Sequence, residues 1–180
     1  MAQVTEDLVF SSVVSSTGVT NWNNTTTSDD NRGTIANATN NNIIFELTNL
    51  SQTPTSITSI QHFAEAQCGG AQTVVIQHEF LNSSNTQLYT ENEGYAGTSD
   101  NTVSGTVRTT SDGSTAWTEN DINTLRVKLT QIATTSVSVT AVCDHFFVRV
   151  IYDVADPVAG LIKLNSGKIK LSSGLVKIIA

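Results

Sequence analysis

With 180 residues, 38% apolar and only 14% charged, the chain holds enough material for one domain with a proper core and an appendage, and too little for two full domains. Its surface is coated by 27 Thr, 19 Ser and 16 Asn, a composition that argues against a helical bundle and for a β-rich body with polar turns. The net charge of −7 argues against a nucleic-acid partner, because such a body cannot neutralise phosphates.

The chain opens MAQVTEDLVF, with acids where an export signal carries Lys or Arg. No run approaches the roughly 18 apolar residues of a membrane span, so no membrane partner is expected. Val4 to Phe10 reads as the first strand. From Asn21 to Asn42 the chain is rich in Asn, Thr and Asp with few apolar anchors, the pattern of a long surface loop. Ser28-Asp29-Asp30-Asn31 within it resembles a fragment of a calcium loop, without the regular ligand spacing.

Strict alternation follows. Ile43, Phe45 and Leu47 share one face, and Ile60, His62, Ala64, Ala66 and Cys68 share the next. After the Gly69-Gly70 turn, Val74, Ile76, His78 and Phe80 line one side of a further strand. A short piece near Gln87 to Thr90 and the run Thr102 to Thr110 complete the middle of the chain. Thr118-Glu119-Asn120-Asp121 has the form of a capping box and predicts a single helical turn before Leu125. Leu125, Val127 and Leu129 then alternate with polar residues. The longest candidate strand is Ser136 to Asp153. Its apolar set is odd up to Cys143 and even from Phe146 to Tyr152, a change of phase that predicts a β-bulge or a break near Asp144.

The sum is about eight strands. Joined antiparallel by short polar turns, they predict an all-β fold, a two-sheet, jelly-roll-like β-sandwich over residues 1–154. Residues 155–160 read as a hinge, and residues 161–180 as an assembly arm built on a seven-residue repeat, Ile-Lys-Leu-Asn/Ser-Ser-Gly-Lys/Leu. Each unit is a three-residue strand and a tight turn in which Gly is free to take a positive φ. Ile162, Leu164, Ile169, Leu171, Val176 and Ile178 would present one apolar face, and Lys163, Lys170 and Lys177 the opposite one. Three units are too few for a free-standing solenoid. The apolar face therefore predicts cover by the parent domain, a neighbouring copy or another protein, with neighbouring copies of this acidic protein the simplest source.

Chemistry-bearing residues are few. His62, His78 and His145 have no Gly-x-Ser-x-Gly elbow beside them, so no catalytic residue is assigned and no enzyme is expected. Cys143 and His145 sit two apart, and His62 and Cys68 share parity on another strand, but the Cys-x-x-Cys signature of a zinc site is missing. No metal and no cofactor is assigned. Cys68 and Cys143 read as buried free thiols. Trp22 and Trp117 are the candidate glycan contacts, since an exposed indole stacks on a sugar face.

Several stretches together resemble the small virion proteins of tailed bacteriophages, especially those of marine and environmental viruses. They are Trp22 before its polar loop, Ile43-Ile44-Phe45-Glu46-Leu47-Thr48-Asn49-Leu50, Ile57-Thr58-Ser59-Ile60, Ala116-Trp117-Thr118-Glu119-Asn120-Asp121-Ile122-Asn123-Thr124-Leu125-Arg126-Val127, Val148-Arg149-Val150-Ile151-Tyr152 and the Lys-Leu-x-Ser-Gly-Lys-Ile tail. The resemblance implies a jelly-roll-like sandwich on the outside of a virus particle, commonly trimeric, and supplies no catalytic residue. The expected function is that of a capsid decoration, or cement, protein. It would pack as a homotrimer against the major capsid protein or another virion protein, on particles assembled in the host cytoplasm. The other reading is a head- or tail-fibre adhesin, a carbohydrate-binding module for a host-surface glycan.

Overall fold

The computed structural model describes residues 1–36, 41–70, 72–134 and 140–156. The arm residues Ile162, Leu164, Ile169, Leu171, Val176 and Ile178, with Lys163, Lys170 and Lys177, lie outside the described residues, as does the hinge from residue 157 onward.

Each alternating stretch forms a strand. In chain order they are β1 (Ala2–Thr17), β2 (Val19–Thr20), β3 (Gly33–Ile35), β4 (Asn42–Leu47) and β5 (Ser56–Cys68). Then come β6 (Thr73–Leu81), β7 (Gln87–Ala96), β8 (Asn101–Ser104), a single helical turn α1 (Glu119–Asn123), β9 (Arg126–Thr134) and β10 (Ala141–Val154). Every pairing among them is antiparallel.

The pairing is that of a long ribbon folded on itself. The first strand pairs with the last, β4 with β9, β5 with β8 and β6 with β7. Rolling the ribbon adds the pairs β10–β5 and β9–β6. The result is the eight-strand jelly roll. One sheet runs β8-β5-β10-β1 and the other β1-β4-β9-β6-β7. Both contain β1, because its residues 2–9 pair with β10 and its residues 10–17 with β4. This strand turns the corner between the sheets, with register shifts after Phe10 and Val13.

The inner faces meet in one core. Phe45 of β4 meets Phe146 of β10 edge to face, ring centroids 5.5 Å apart, a favoured aromatic geometry. Leu8, Ile43, Phe80, Val127, Val148, Val150 and Tyr152 are fully buried around them. Each such side chain contributes about 1.5–3 kcal/mol of transfer free energy.

The phase change in β10 is a bulge. Opposite β5, Cys143 pairs with Ala66 and His145 with Glu65, so Asp144 is the extra residue. The capping box also forms: Asp121 N–H donates to Thr118 Oγ1 at 3.2 Å, and Thr118 N–H to Asp121 Oδ2 at 2.9 Å. Cys68 and Cys143 are buried free thiols.

Two expectations are corrected. The stretch from Asn21 to Asn42 is more than a surface loop: Trp22–Thr26 is a 3₁₀ turn, and β2 and β3 extend the sheet beside the upper end of β10. Trp22, Thr25 and Ile35 are buried. Gly33 makes that packing feasible, because a Cβ there would stand 2.9 Å from both Trp22 Cε3 and Thr25 Cγ2. The run Thr102 to Thr110 is strand only as far as Ser104. Beyond it, Gly105 and Arg108 cross over β5, with Gly105 N–H donating to His62 O and Arg108 N–H to Ile60 O.

Candidate functional site

Neither tryptophan offers a ring to a ligand. Trp22 and Trp117 are each only 4% exposed, which corrects the expectation of sugar platforms. Trp22 follows Asn21, whose φ of 54° turns the chain inward, and its ring lies 5.9 Å from that of Phe45. Trp117 stands just before the Thr118 cap and Ile122 four residues into α1, both buried, the spacing of a hydrophobic staple. The Trp117 indole N–H donates to Arg108 O at 3.3 Å.

The aromatic surface lies elsewhere, on the outer face of the β8-β5-β10-β1 sheet. Side chains alternate across a strand, so β10 sends Phe146, Val148 and Val150 inward and Phe147 and Arg149 outward. Phe147 pairs with Phe63 of β5. Their rings stack 4.9 Å apart, within 9° of parallel. The Arg149 guanidinium lies 5.0 Å from the Phe63 ring and 5.4 Å from that of Phe147. It is aimed by Asp7 of β1, whose Oδ1 accepts from Nε at 2.7 Å and Oδ2 from Nη2 at 2.8 Å. This hydrogen bonding raises the Arg149 pKa above its ordinary value.

His145 closes the other end of the row, its ring 4.8 Å from that of Phe147, beside its cross-strand neighbour Glu65. Gln61 pairs with Arg149, and its Nε2 donates to Gly105 O at 2.8 Å. The patch is thus a row of half-buried rings bordered by a cation, an imidazole, an amide and carboxylates. On a sheet face such a row is suited to holding a ligand by apolar contact and hydrogen bonds.

A second polar group is buried where β5 faces β7. His62 and His78 lie on opposing inner faces with ring centroids 4.8 Å apart. His78 Nε2 is 3.2 Å from Tyr95 Oη. His62 Nδ1 is 3.9 Å from Glu91 Oε2, and neither His62 ring nitrogen has a hydrogen-bond partner among the described residues. Glu91 accepts from Arg108 Nη2 at 2.6 Å and from Thr106 N–H at 2.9 Å. Burial pushes His62 down to about 4 and His78 well below the ordinary imidazole range. Burial also works to raise Glu91, but Thr106 N–H, Arg108 and His62 together outweigh it and leave that carboxyl low. Glu93 is raised, by burial and then by the charge of Glu91.

The paired metal ligands read from the sequence are not brought together. The Asp144 bulge leaves Cys143 inside the sandwich and turns His145 to the outer face. The Ser28-Asp29-Asp30-Asn31 segment is tied by Arg32, which donates to Asp30 Oδ1 and Asp100 Oδ2, each at 2.6 Å. Phe63, Phe147 and Arg149 were missed as a group. Their outward parity was readable, but their adjacency depends on the β5–β10 register.

No protein-family model and no curated protein matches the chain. Solved structures similar to it include the following three. The CBM36-1 domain of a multidomain xylanase from the hindgut metagenome of Trinervitermes trinervoides is 8% identical, with 83% of this chain and 96% of that one covered and a TM-score of 0.43. The protein PfGH50B is 13% identical over 77% of this chain and 23% of its own, with a TM-score of 0.47. The enzymatically active domain of bacteriophage CBA120 tailspike protein 4 is 12% identical over 84% of this chain and 19% of its own, with a TM-score of 0.38. At these identities none of the likenesses reaches beyond the fold.

Proposed function

We propose that the jelly-roll body is a non-enzymatic recognition module that binds a cell-surface glycan through the outer face of the β8-β5-β10-β1 sheet, as part of a head or tail fibre on a virus particle. The observation that carries this reading is the row of Phe63, Phe147 and Arg149, aimed by Asp7. A sugar ring presents apolar C–H groups beside hydroxyls, so it calls for aromatic surface bordered by fixed donors and acceptors. Strands hold these side chains in place before binding, which keeps the ordering cost low. The virus particle enters through the sequence resemblance.

The test is a glycan array probed with the full chain and with Phe63→Ala and Phe147→Ala. Each substitution should weaken retention of the bound glycan by about tenfold or more, as loss of a central aromatic contact does. Retention of no glycan at all, or retention unchanged in both variants, would overturn the reading.

Particle decoration is the second reading, and charge favours it. Residues 1–160 hold five cations against sixteen carboxylates, a net −11, whereas the last twenty residues hold four lysines and no acid. Val13 and Val14, 49% and 38% exposed, lie on the stretch of β1 that forms an edge of the second sheet. Among the described residues that edge has no further strand beside it; an open edge accepts one, and a homotrimer or a contact with the major capsid protein would supply it.

A further inference from the structure

The flank of the sandwich where β5 faces β7 carries a donor set that neither reading uses. His62, 1% exposed, directs Nδ1 toward Glu91 Oε2 and has no hydrogen bond among the described residues. Glu93 lies two residues along β7 from Glu91, both half-buried on the inward side. One ligand atom from each of the three residues lies within 4.8 Å of the others.

We propose that His62, Glu91 and Glu93 form a binding site for one divalent transition-metal ion of the zinc class. One imidazole nitrogen and two carboxylate oxygens suit zinc, whereas calcium and magnesium take shells of oxygen. Zinc bonds of about 2.0–2.2 Å at tetrahedral angles set two donors on one ion about 3.4 Å apart. The 3.9 Å between His62 Nδ1 and Glu91 Oε2 is about half an ångström wider, a gap that a small side-chain rotation closes. The half-buried Glu93 side chain has the freedom to close the remaining distance.

The surroundings are those of a held ligand. The Arg108 guanidinium holds Glu91 Oε1 and Thr106 N–H holds Oε2, fixing the carboxylate as hydrogen-bonded partners do around metal-binding carboxylates. Gly105 lies so close over His62 that a Cβ would stand 1.9 Å from Cε1 and 2.5 Å from Glu91 Oε2. Only glycine lets the crossing chain seal this side. The ion would join β5 of one sheet to β7 of the other.

The experiment strips the full chain with a chelator and titrates it with zinc chloride by calorimetry, with Co²⁺ absorption as a second readout. One zinc per chain is expected, together with a rise in melting temperature. Glu93→Gln keeps the shape of a half-buried side chain, so this variant folds whatever happens at the buried His62→Gln. Each should weaken zinc binding by about tenfold or more and reduce the thermal shift. The site is overturned if the wild-type chain shows no saturable zinc binding, or if binding survives Glu93→Gln undiminished.

Discussion

Cys143 and His145 stand two residues apart on one strand and on opposite faces of its sheet, Cys143 in the core and His145 tilted against the Phe147 ring outside. Asp144, the unpaired residue between them, makes the switch. Without it, one parity would have to run through β10. Either Ala141 and Cys143 or the set Phe146, Val148, Val150 and Tyr152 would then face solvent.

Deletion of Asp144 should therefore abolish cooperative unfolding, whereas Asp144→Asn should leave it in place. Thermal denaturation followed by circular dichroism separates the two. A deletion variant that melts like the wild type would mean that the strand slips without loss.

Acid should weaken the fold before most carboxylates titrate. His62 has its folded pKa near 4 against 6.5 when free, so the unfolded chain binds the proton more readily. Its stabilising contribution is complete above pH 6.5 and is lost as pH falls toward 4. At 1.36 kcal/mol per pKa unit the loss is about 3 kcal/mol. His78, shifted in the same direction, adds to it. Urea midpoints measured through this window should fall steadily, and a flat profile would contradict the burial of both rings.

Truncation before Gly160, which removes residues 160–180, distinguishes the two functional readings. A glycan reader should keep its ligand, because Phe63, Phe147 and Arg149 all lie in the body. A decoration protein should lose oligomerisation or binding to the particle. Mass in solution and co-sedimentation with particles measure the second outcome, and the glycan array measures the first.

Local order was legible in the chain because side-chain parity is a property of the extended backbone itself. The inward sets Ile43, Phe45, Leu47 and Phe146, Val148, Val150, Tyr152 follow from alternation alone, as does the position of the bulge. The α1 capping box involves residues only three apart, and the eight long strands were countable for the same local reason. The second half of β1 was not, since Ser11–Thr17 is exposed on both faces at a sheet edge and so carries no alternation to read.

Whatever depends on which strands become neighbours was decided by the tertiary structure. Burial of Trp22 requires β3 to dock beside β10 and Gly33 to yield space. The stacking of Phe63 on Phe147 requires the β5–β10 register, and the approach of Glu91 to His62 requires two sheets to close face to face. Period and capping are written within a few residues. Adjacency between distant segments arises only when burial of the whole core selects one register among many.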